Sequence, residues 1–266
     1  MKFGAYKKVA ALFESELKRL GIFYSKNADA TYHLVFNEKV KATILLDDLV
    51  HEWKRNPDPE LVASFVRNIV GGATLPRLTW EDAQKRLRFT LKPRSELNDP
   101  QWEELGPFGY SLTTDLGLLY FCELPEIESR RWVTPDGFDD WQVSAEEMAM
   151  KASANMGELM DEARIEFVPI AGRRFAYLSV EEWTLKASLC MTSVFRRRIR
   201  EEFAWPVRVV VPAIDYILIV PAEDEDLLAR IAQGAVNEYH DADYPLSLEI
   251  LELSDKGIAV VGKLGP

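Results

Sequence analysis

The chain has 266 residues, of which 47% are hydrophobic and 28% charged, and its formal net charge is −11 at pH 7. This composition is typical of a folded globular protein and excludes a disordered or fibrous chain. No run of about 18 apolar residues occurs, and Glu14 and Glu16 interrupt the first apolar stretch before a signal-peptide core could form. We therefore predict a cytoplasmic protein that does not enter a membrane.

The charge is unevenly distributed along the chain. Residues 1–100 carry 17 basic and 13 acidic side chains, whereas residues 101–266 carry 15 basic and 30 acidic ones. So acidic a surface repels nucleic acid and anionic lipid and attracts a basic partner, although surplus acid more commonly serves solubility alone. We predict no nucleic-acid or membrane partner, and both the docking and the solubility interpretations stay open.

Residues 1–78 are predicted to form an N-terminal α+β subdomain. Its helices follow from apolar residues at helical spacing, and its hairpin follows from two β-rich runs joined by a short turn. The predicted elements are a helix over 5–20, strands over 32–36 and 40–46 joined at 37–39, a short helix from Asp47 or Asp48 to Trp53, and a helix over 60–70. Gly21 is expected to end the first helix, and Gly71 with Gly72 to stop the last one.

Residues 79–266 are predicted to form a larger α+β domain. Its first part is predicted as a helix over 80–86, a strand over 87–91, a loop over 93–107, strands over 118–124 and 129–133, and a tight turn at 134–137. Its second part is predicted as a helix capped by Ser144, strands over 165–170 and 174–178, one long helix over 181–203, strands over 207–211 and 215–220, a helix over 224–240, and strands over 247–253 and 258–261. These elements follow from apolar periodicity and from turn and cap residues.

The order helix, strand, strand recurs along this larger domain. Adjacent strands linked by short turns pair antiparallel, and helices between such pairs cover a face of the sheet. The predicted fold class is therefore α+β, with antiparallel sheets built from recurring α-β-β units and helices packed on one face. The pattern leaves open whether the units arose by duplication.

Four stretches carry a resemblance to a known family. They are Leu87–Ser95, Thr114–Phe121, the capped helix from Ser144 with Ala152 and Asn155, and Ile214–Ile219. In order and spacing they resemble the YtpQ-like bacterial family from about residue 86 to the end of the chain. Lys92-Pro93-Arg94 departs from the family pattern, in which the apolar strand continues. The resemblance implies a bacterial cytoplasmic protein of mixed α/β fold, and it brings no activity, ligand or catalytic residue with it.

The sharpest basic feature is a cluster of arginines. It consists of Arg196, Arg197, Arg198 and Arg200. Such a cluster can bind phosphate or an acidic partner, or it can pair with nearby acids such as Glu201 and Glu202. In so acidic a segment the intramolecular pairing is the more common outcome. We keep the four arginines as the candidate contact with a partner or an anion.

Motifs of enzymes and metal sites are missing from the sequence. His51-Glu52 begins like a zinc-protease helix, but Arg55 stands where the second histidine is required. The acids at 223–226 fall in the first turn of a helix, where the helix dipole favours each by about 0.3–1 kcal/mol. Cys122 and Cys190 lie in apolar surroundings and are expected to be buried free thiols. We predict no cofactor and no metal ion.

The sequence therefore specifies no chemistry, and we predict a non-enzymatic protein that acts by protein–protein contact through an acidic surface. An immunity protein, a chaperone or a regulatory subunit would work in this way, with a basic protein as partner. The alternative is a small-molecule enzyme, for example a hydrolase that uses Asp115 or Asp215, which both precede strands. A cleft around a buried carboxylate would favour the enzyme, and a flat acidic patch would favour the contact protein.

Overall fold

The computed structural model describes residues 2–27, 31–36, 40–44, 46–74, 77–97, 106–125 and 129–265. The turn predicted at 37–39 lies outside these residues, as do positions 98–105 of the predicted loop. Within them, no helix has the length and apolar character needed to span a membrane. The chain divides into unit 1, Met1–Leu78 with Glu123–Arg131, and unit 2, Thr79–Cys122 with Trp132–Pro266.

The described part of unit 1 combines helices with a small antiparallel sheet. Its elements are α1 (Lys2–Arg19), β1 (Phe23–Lys26), β2 (Tyr32–Phe36), β3 (Val40–Ile44), α2 (Asp47–Arg55) and α3 (Pro59–Thr74). The sheet order is β1-β2-β3, and the predicted pairing of β2 with β3 is confirmed. The sequence did not predict β1, because no residue of this short strand is buried and it therefore lacks an alternating apolar pattern.

The core of unit 1 forms where the apolar stripe of α1 meets β2. Val9, Phe13 and Leu17 are fully buried and belong to one cluster with Tyr32 and Leu34. The rings of Phe13 and Tyr32 meet edge to face with centroids 5.0 Å apart. This helical spacing is the one that the sequence predicted.

The helix α3 is longer than predicted, because Gly71 and Gly72 do not stop it. It continues to Thr74, while Val62 and Val66 on its inner face are buried in the core of unit 1. Each glycine costs a helix about 1 kcal/mol relative to alanine. Packing of the apolar face outweighs that cost, so the glycine signal predicted the helix end wrongly.

The remaining elements build two further sheets and the helices that cover them. They are α4 (Trp80–Arg86), β4 (Leu87–Pro93), α5 (Arg94–Leu97), β5 (Gly109–Ser111), β6 (Leu116–Leu124), β7 (Ser129–Trp132), α6 (Pro135–Trp141), α7 (Ala145–Glu162), β8 (Arg164–Ile170), β9 (Arg173–Ser179), two 3-10 helices (Trp183–Leu185 and Ala187–Met191), α8 (Ser193–Glu202), β10 (Val207–Ala213), β11 (Tyr216–Pro221), α9 (Glu225–Asp241), β12 (Glu249–Ser254) and β13 (Gly257–Lys263). All belong to unit 2 apart from the end of β6 and most of β7.

The larger sheet has the strand order β13-β12-β10-β11-β9-β8, and the smaller has the order β4-β6-β5 with β7 beside β6. The strand registers are antiparallel in both sheets. Helix, strand, strand recurs as α7-β8-β9, α8-β10-β11 and α9-β12-β13. The predicted α+β class with antiparallel sheets is therefore confirmed.

The helix α9 covers the centre of the larger sheet. Leu227 and Ile231 of α9 pack with Val210, Leu218 and Val220 of the strands beneath. Asp224 begins this helix, because its carboxylate accepts a hydrogen bond from the Leu227 N–H at 3.1 Å. The predicted β-β-α-β-β order of this part of the chain is confirmed.

The single long helix predicted over 181–203 is wrong. The chain forms two 3-10 helices, turns at Thr192, where ψ is 152°, and then begins α8. The Thr192 hydroxyl donates to the Leu189 carbonyl at 2.8 Å and accepts from the Phe195 N–H at 3.0 Å. The threonine side chain thus supplies the hydrogen bonds that a continuous helix would have made through its backbone.

The tight turn predicted at 134–137 is also wrong, because these residues begin α6. The Thr134 hydroxyl accepts a hydrogen bond from the Gly137 N–H at 3.2 Å, and Pro135 occupies the first helical position. Proline is favoured there because the first helical N–H has no partner within the helix. The same residue types serve turns and helix starts, which explains the error.

Candidate functional site

One of the four candidate arginines is part of the scaffold of unit 2. Arg198 lies on α8, and its guanidinium donates to the carbonyl oxygens of Met160 and Ala163, both at 2.7 Å. The same side chain pairs with Glu202 at 2.9 Å. Arg198 therefore satisfies free carbonyl groups at the C-terminal end of α7, a role that a helix end requires.

Two other arginines form ion pairs at the surface. Arg197 reaches Asp161 at 3.4 Å, and Arg200 pairs with Asp255 while its guanidinium carbon lies 4.8 Å from the centroid of the Trp205 ring. These arginines and their acids are more than half exposed. Such exposed pairs are worth only about 0–1 kcal/mol, so a partner could replace them. Contact with an anion or a partner stays a prediction for these residues.

The fourth arginine, Arg196, lies close to a buried cysteine. Its Nε is buried and makes no hydrogen bond within the described residues. Cys190 is completely buried, and burial raises the pKa of its thiol to about 12, with a smaller opposing effect from the Arg196 charge. The thiol therefore stays protonated near neutral pH and cannot act as a nucleophile. Both cysteines are buried thiols that form no disulfide, as predicted.

Asp115 belongs to a polar network that the sequence did not predict. The network consists of Thr113, Asp115, Ser247, Glu249 and Lys263, and we call it the Asp115 network. The carboxylate oxygen Oδ2 of Asp115 accepts hydrogen bonds from Lys263 Nζ at 2.7 Å and from Ser247 Oγ at 3.2 Å. The Thr113 hydroxyl donates a hydrogen bond to the carboxylate of Glu249, a residue that is only 3% exposed. The network thus joins two carboxylates, two hydroxyls and one ammonium group.

Three separate parts of the chain build the Asp115 network. Thr113 and Asp115 lie between β5 and β6, Ser247 and Glu249 lie at the start of β12, and Lys263 ends β13 directly opposite Glu249. One signal in the sequence could have indicated it. Side chains of β12 point alternately to its two faces, and Glu249 points to the same buried face as Leu251 and Leu253. A carboxylate on that face needs a buried partner.

The electrostatics of the Asp115 network favour a protonated lysine. The hydrogen bond to Asp115 raises the pKa of Lys263 above its usual value, and the charge of Glu249 adds a smaller effect in the same direction. The Ser247 hydroxyl is buried and also accepts a hydrogen bond from the Glu249 N–H at 2.9 Å. A hydroxyl held in this way is not accessible to a substrate. Asp215, the other candidate carboxylate, is exposed in the turn before β11.

Three of the four acids at 223–226 make structural contacts. Asp224 caps α9 and pairs with Arg173, which also reaches Asp226 at 3.4 Å. Arg208 contacts Glu225 at 3.3 Å. In the part of the chain that the structure describes, no group of three or more histidine, cysteine, aspartate or glutamate side chains is placed to hold a metal ion.

An exposed acidic surface lies on α6 and the first turn of α7. Asp136, Asp139 and Asp140 occupy positions i, i+3 and i+4 of α6, so they share one side of the helix, and all three are exposed. Glu146 in the first turn of α7 is exposed as well. We call these four residues the acidic face.

The neighbouring sequence strengthens the charge of the acidic face. No lysine or arginine occurs between Trp132 and Met150. Phe138, on the same short helix α6, packs against Phe108 with ring centroids 4.5 Å apart. The helix thus has an apolar contact that anchors it and an exposed row of carboxylates.

Comparison with known proteins finds no matching family model, no matching curated protein and no matching solved structure. The resemblance to the YtpQ-like family accordingly stays a prediction that rests on the four stretches named above.

Proposed function

We propose that this protein is a non-enzymatic bacterial cytoplasmic protein that acts by contact with a basic protein, in the manner of an immunity protein, a chaperone or a regulatory subunit. Support comes from the excess of acidic side chains in residues 101–266 and from the exposure of the acidic face. Complementary charge accelerates the encounter of such partners and disfavours acidic ones. The acidic face is the surface on which we expect that partner to bind.

The observation that carries this proposal is the position of Asp139 and Asp140 on α6. Both lie in the last turn of that helix, where the helix dipole disfavours negative charge by about 0.3–1 kcal/mol each. Their spacing from Asp136 adds repulsion between like charges. The helix dipole therefore favours Asp136 and Glu146, which lie in first turns, and disfavours Asp139 and Asp140, which lie in a last turn.

The experiment is affinity capture of the tagged protein at two ionic strengths. Raising the ionic strength from about 0.01 M to about 1 M shortens the Debye length from about 30 Å to about 3 Å, which screens exposed charges. We expect one basic protein to be captured in stoichiometric amount at low salt and to be lost at high salt. Failure to capture any such protein, or capture that is insensitive to salt, would contradict the proposal.

A carboxylate-based hydrolase is the second candidate, and one observation favours it. The fold brings Asp115 together with Lys263 and the buried Glu249, which is the kind of constellation that active sites contain. The burial of the Ser247 hydroxyl favours a structural role instead, in which the network holds the β5–β6 turn against β12.

Substitution of the two candidate carboxylates separates the two functions. Asp115→Asn and the exposed control Asp215→Asn are assayed with the unchanged protein against ester, amide and phosphate monoester substrates. The contact model predicts no turnover by any of the three proteins, because it assigns the network the structural role of holding the β5–β6 turn against β12. Turnover that Asp115→Asn abolishes and Asp215→Asn retains would establish the hydrolase instead.

A further inference from the structure

The outer side of α1 carries two lysines with small residues between them. Lys7, Ala11, Ser15 and Lys18 follow one another at intervals of 4, 4 and 3 residues, so they share one side of the helix, and all four are exposed. The opposite side of α1 is buried in the core of unit 1. In the part of the chain that the structure describes, neither lysine makes a hydrogen bond or an ion pair. We call these four residues the α1 face.

The outer side of α7 carries two glutamates at the same spacing. Read from the C-terminal end of the helix, Glu158, Ala154, Met150 and Glu147 again follow at intervals of 4, 4 and 3 residues. Met150 is 60% exposed, Glu158 and Ala154 are exposed, and Glu147 is partly exposed. Neither glutamate side chain forms a hydrogen bond or an ion pair with any residue that the structure describes. We call these four residues the α7 face.

The two faces are complementary when the helices run antiparallel. Their identical intervals then match every position with one partner: Lys7 with Glu158, Ala11 with Ala154, Ser15 with Met150 and Lys18 with Glu147. Small residues at the centre let the helix axes approach to about 8 Å, and the two lysine–glutamate pairs lie about 16 Å apart along the axes. Lys151, the only basic residue of α7, falls opposite Glu14 and therefore meets no lysine.

We propose that α1 of one copy of this chain packs antiparallel on α7 of a second copy. A helix that faces only water commonly carries charges of both signs along its exposed side, where they pair with each other. The α1 face and the α7 face instead carry one sign each, and small or apolar residues stand between the charges. Both faces are exposed in a single copy, so their complementary surface belongs to another molecule, and the chain itself supplies that surface. The contact joins two different surfaces and is therefore heterologous.

Sedimentation velocity over a broad range of protein concentrations tests the association. We expect the mass of the unchanged protein to rise above 30.4 kDa with concentration at low salt and to fall back at about 1 M salt. Lys7→Glu with Lys18→Glu sets like charges against the α7 face and should weaken the association by about tenfold or more. Glu147→Lys with Glu158→Lys should do the same. An equimolar mixture of these two variants restores opposite charges and should associate as the unchanged protein does.

A matched control separates this contact from a general effect of net charge. Lys54→Glu with Lys256→Glu makes the same change in net charge as the α1 variant, at two exposed lysines outside both faces. This control should associate as the unchanged protein does. An unchanged protein that stays monomeric, a mixture of the two charge-reversed variants that stays monomeric, or a control as weak as the α1 variant would overturn the proposal.

Chemical crosslinking tests the register of the two helices. The native cysteines are buried, so a short bismaleimide reacts selectively with introduced ones. In a mixture of Ser15→Cys and Met150→Cys we expect a product of twice the mass of the chain. Phe23→Cys, at a position 80% exposed on β1, replaces Ser15→Cys as the control and should give no such product. Equal yields from the two mixtures would contradict the register. These outcomes do not depend on the proposed basic partner, because neither helix face includes a residue of the acidic face.

Discussion

Phe13→Ala is expected to lower the free energy of unfolding of unit 1 by about 3–5 kcal/mol. Phe13 is fully buried on α1, and its ring contacts both Tyr32 and Phe65, with centroids 5.0 and 6.2 Å away. Truncation leaves a cavity in the core cluster in which α1 packs on β2. Urea denaturation followed by circular dichroism measures the loss.

The matched control for this prediction is Phe23→Ala in the same unit. Phe23 is 80% exposed on β1, so the same truncation removes little buried surface. Its effect should stay within about 0.5 kcal/mol, as is usual for surface substitutions. Equal effects of the two substitutions would show that α1 does not pack on the sheet as described.

Thr192→Val is expected to destabilise unit 2 by about 2–4 kcal/mol. Valine has nearly the shape of threonine, but it leaves the Phe195 N–H and the Leu189 carbonyl without the hydroxyl that joins them. Thr192 is fully buried, so water cannot replace this hydroxyl. Thermal and urea unfolding of the variant measure the change.

Thr192→Ser is the control for the loss of the hydroxyl. Serine keeps both hydrogen bonds and removes one buried methyl group, which costs about 1 kcal/mol. A valine variant as stable as the serine variant would contradict the role of Thr192 as the residue that begins α8.

Residue 192 also shows how far the sequence predicted this part of the fold. Leu185, Leu189, Phe195 and Ile199 recur at helical spacing, and all four are fully or almost fully buried. The periodicity therefore predicted the buried side correctly. It could not show that the chain turns at Thr192, because a buried threonine is compatible with a helix interior as well as with a helix start.

Sequence signals were also ambiguous for helix starts and insufficient for the candidate site. Ser144 was predicted correctly as a cap, and its hydroxyl accepts from the Glu147 N–H at 3.1 Å. Thr134 has the same role, yet the proline and glycine that follow it also suit a turn. The Asp115 network could not be derived from spacing, because Asp115 and Lys263 are distant in sequence and only the sheet order brings them together.

The acidic face was predictable from the sequence only in part. Its charge was predictable as part of the acidic excess after residue 100. Its arrangement on one side of α6 was not, because the sequence predicted a turn at the residues that begin this helix. Only the observed helix places Asp139 and Asp140 in a last turn, where the dipole disfavours them. The proposed function uses this position.

Capture by charge-neutral variants tests the central claim most directly. Asp139→Asn with Asp140→Asn neutralises two carboxylates of the acidic face, and Glu158→Gln with Glu162→Gln neutralises two exposed carboxylates of α7 outside it. The two variants have the same net charge, and circular dichroism verifies that both are folded. We predict that the unchanged protein and the α7 variant capture the same basic protein at low salt, whereas the acidic-face variant loses it. Equal capture by both variants, or capture by neither the variants nor the unchanged protein, would contradict the account.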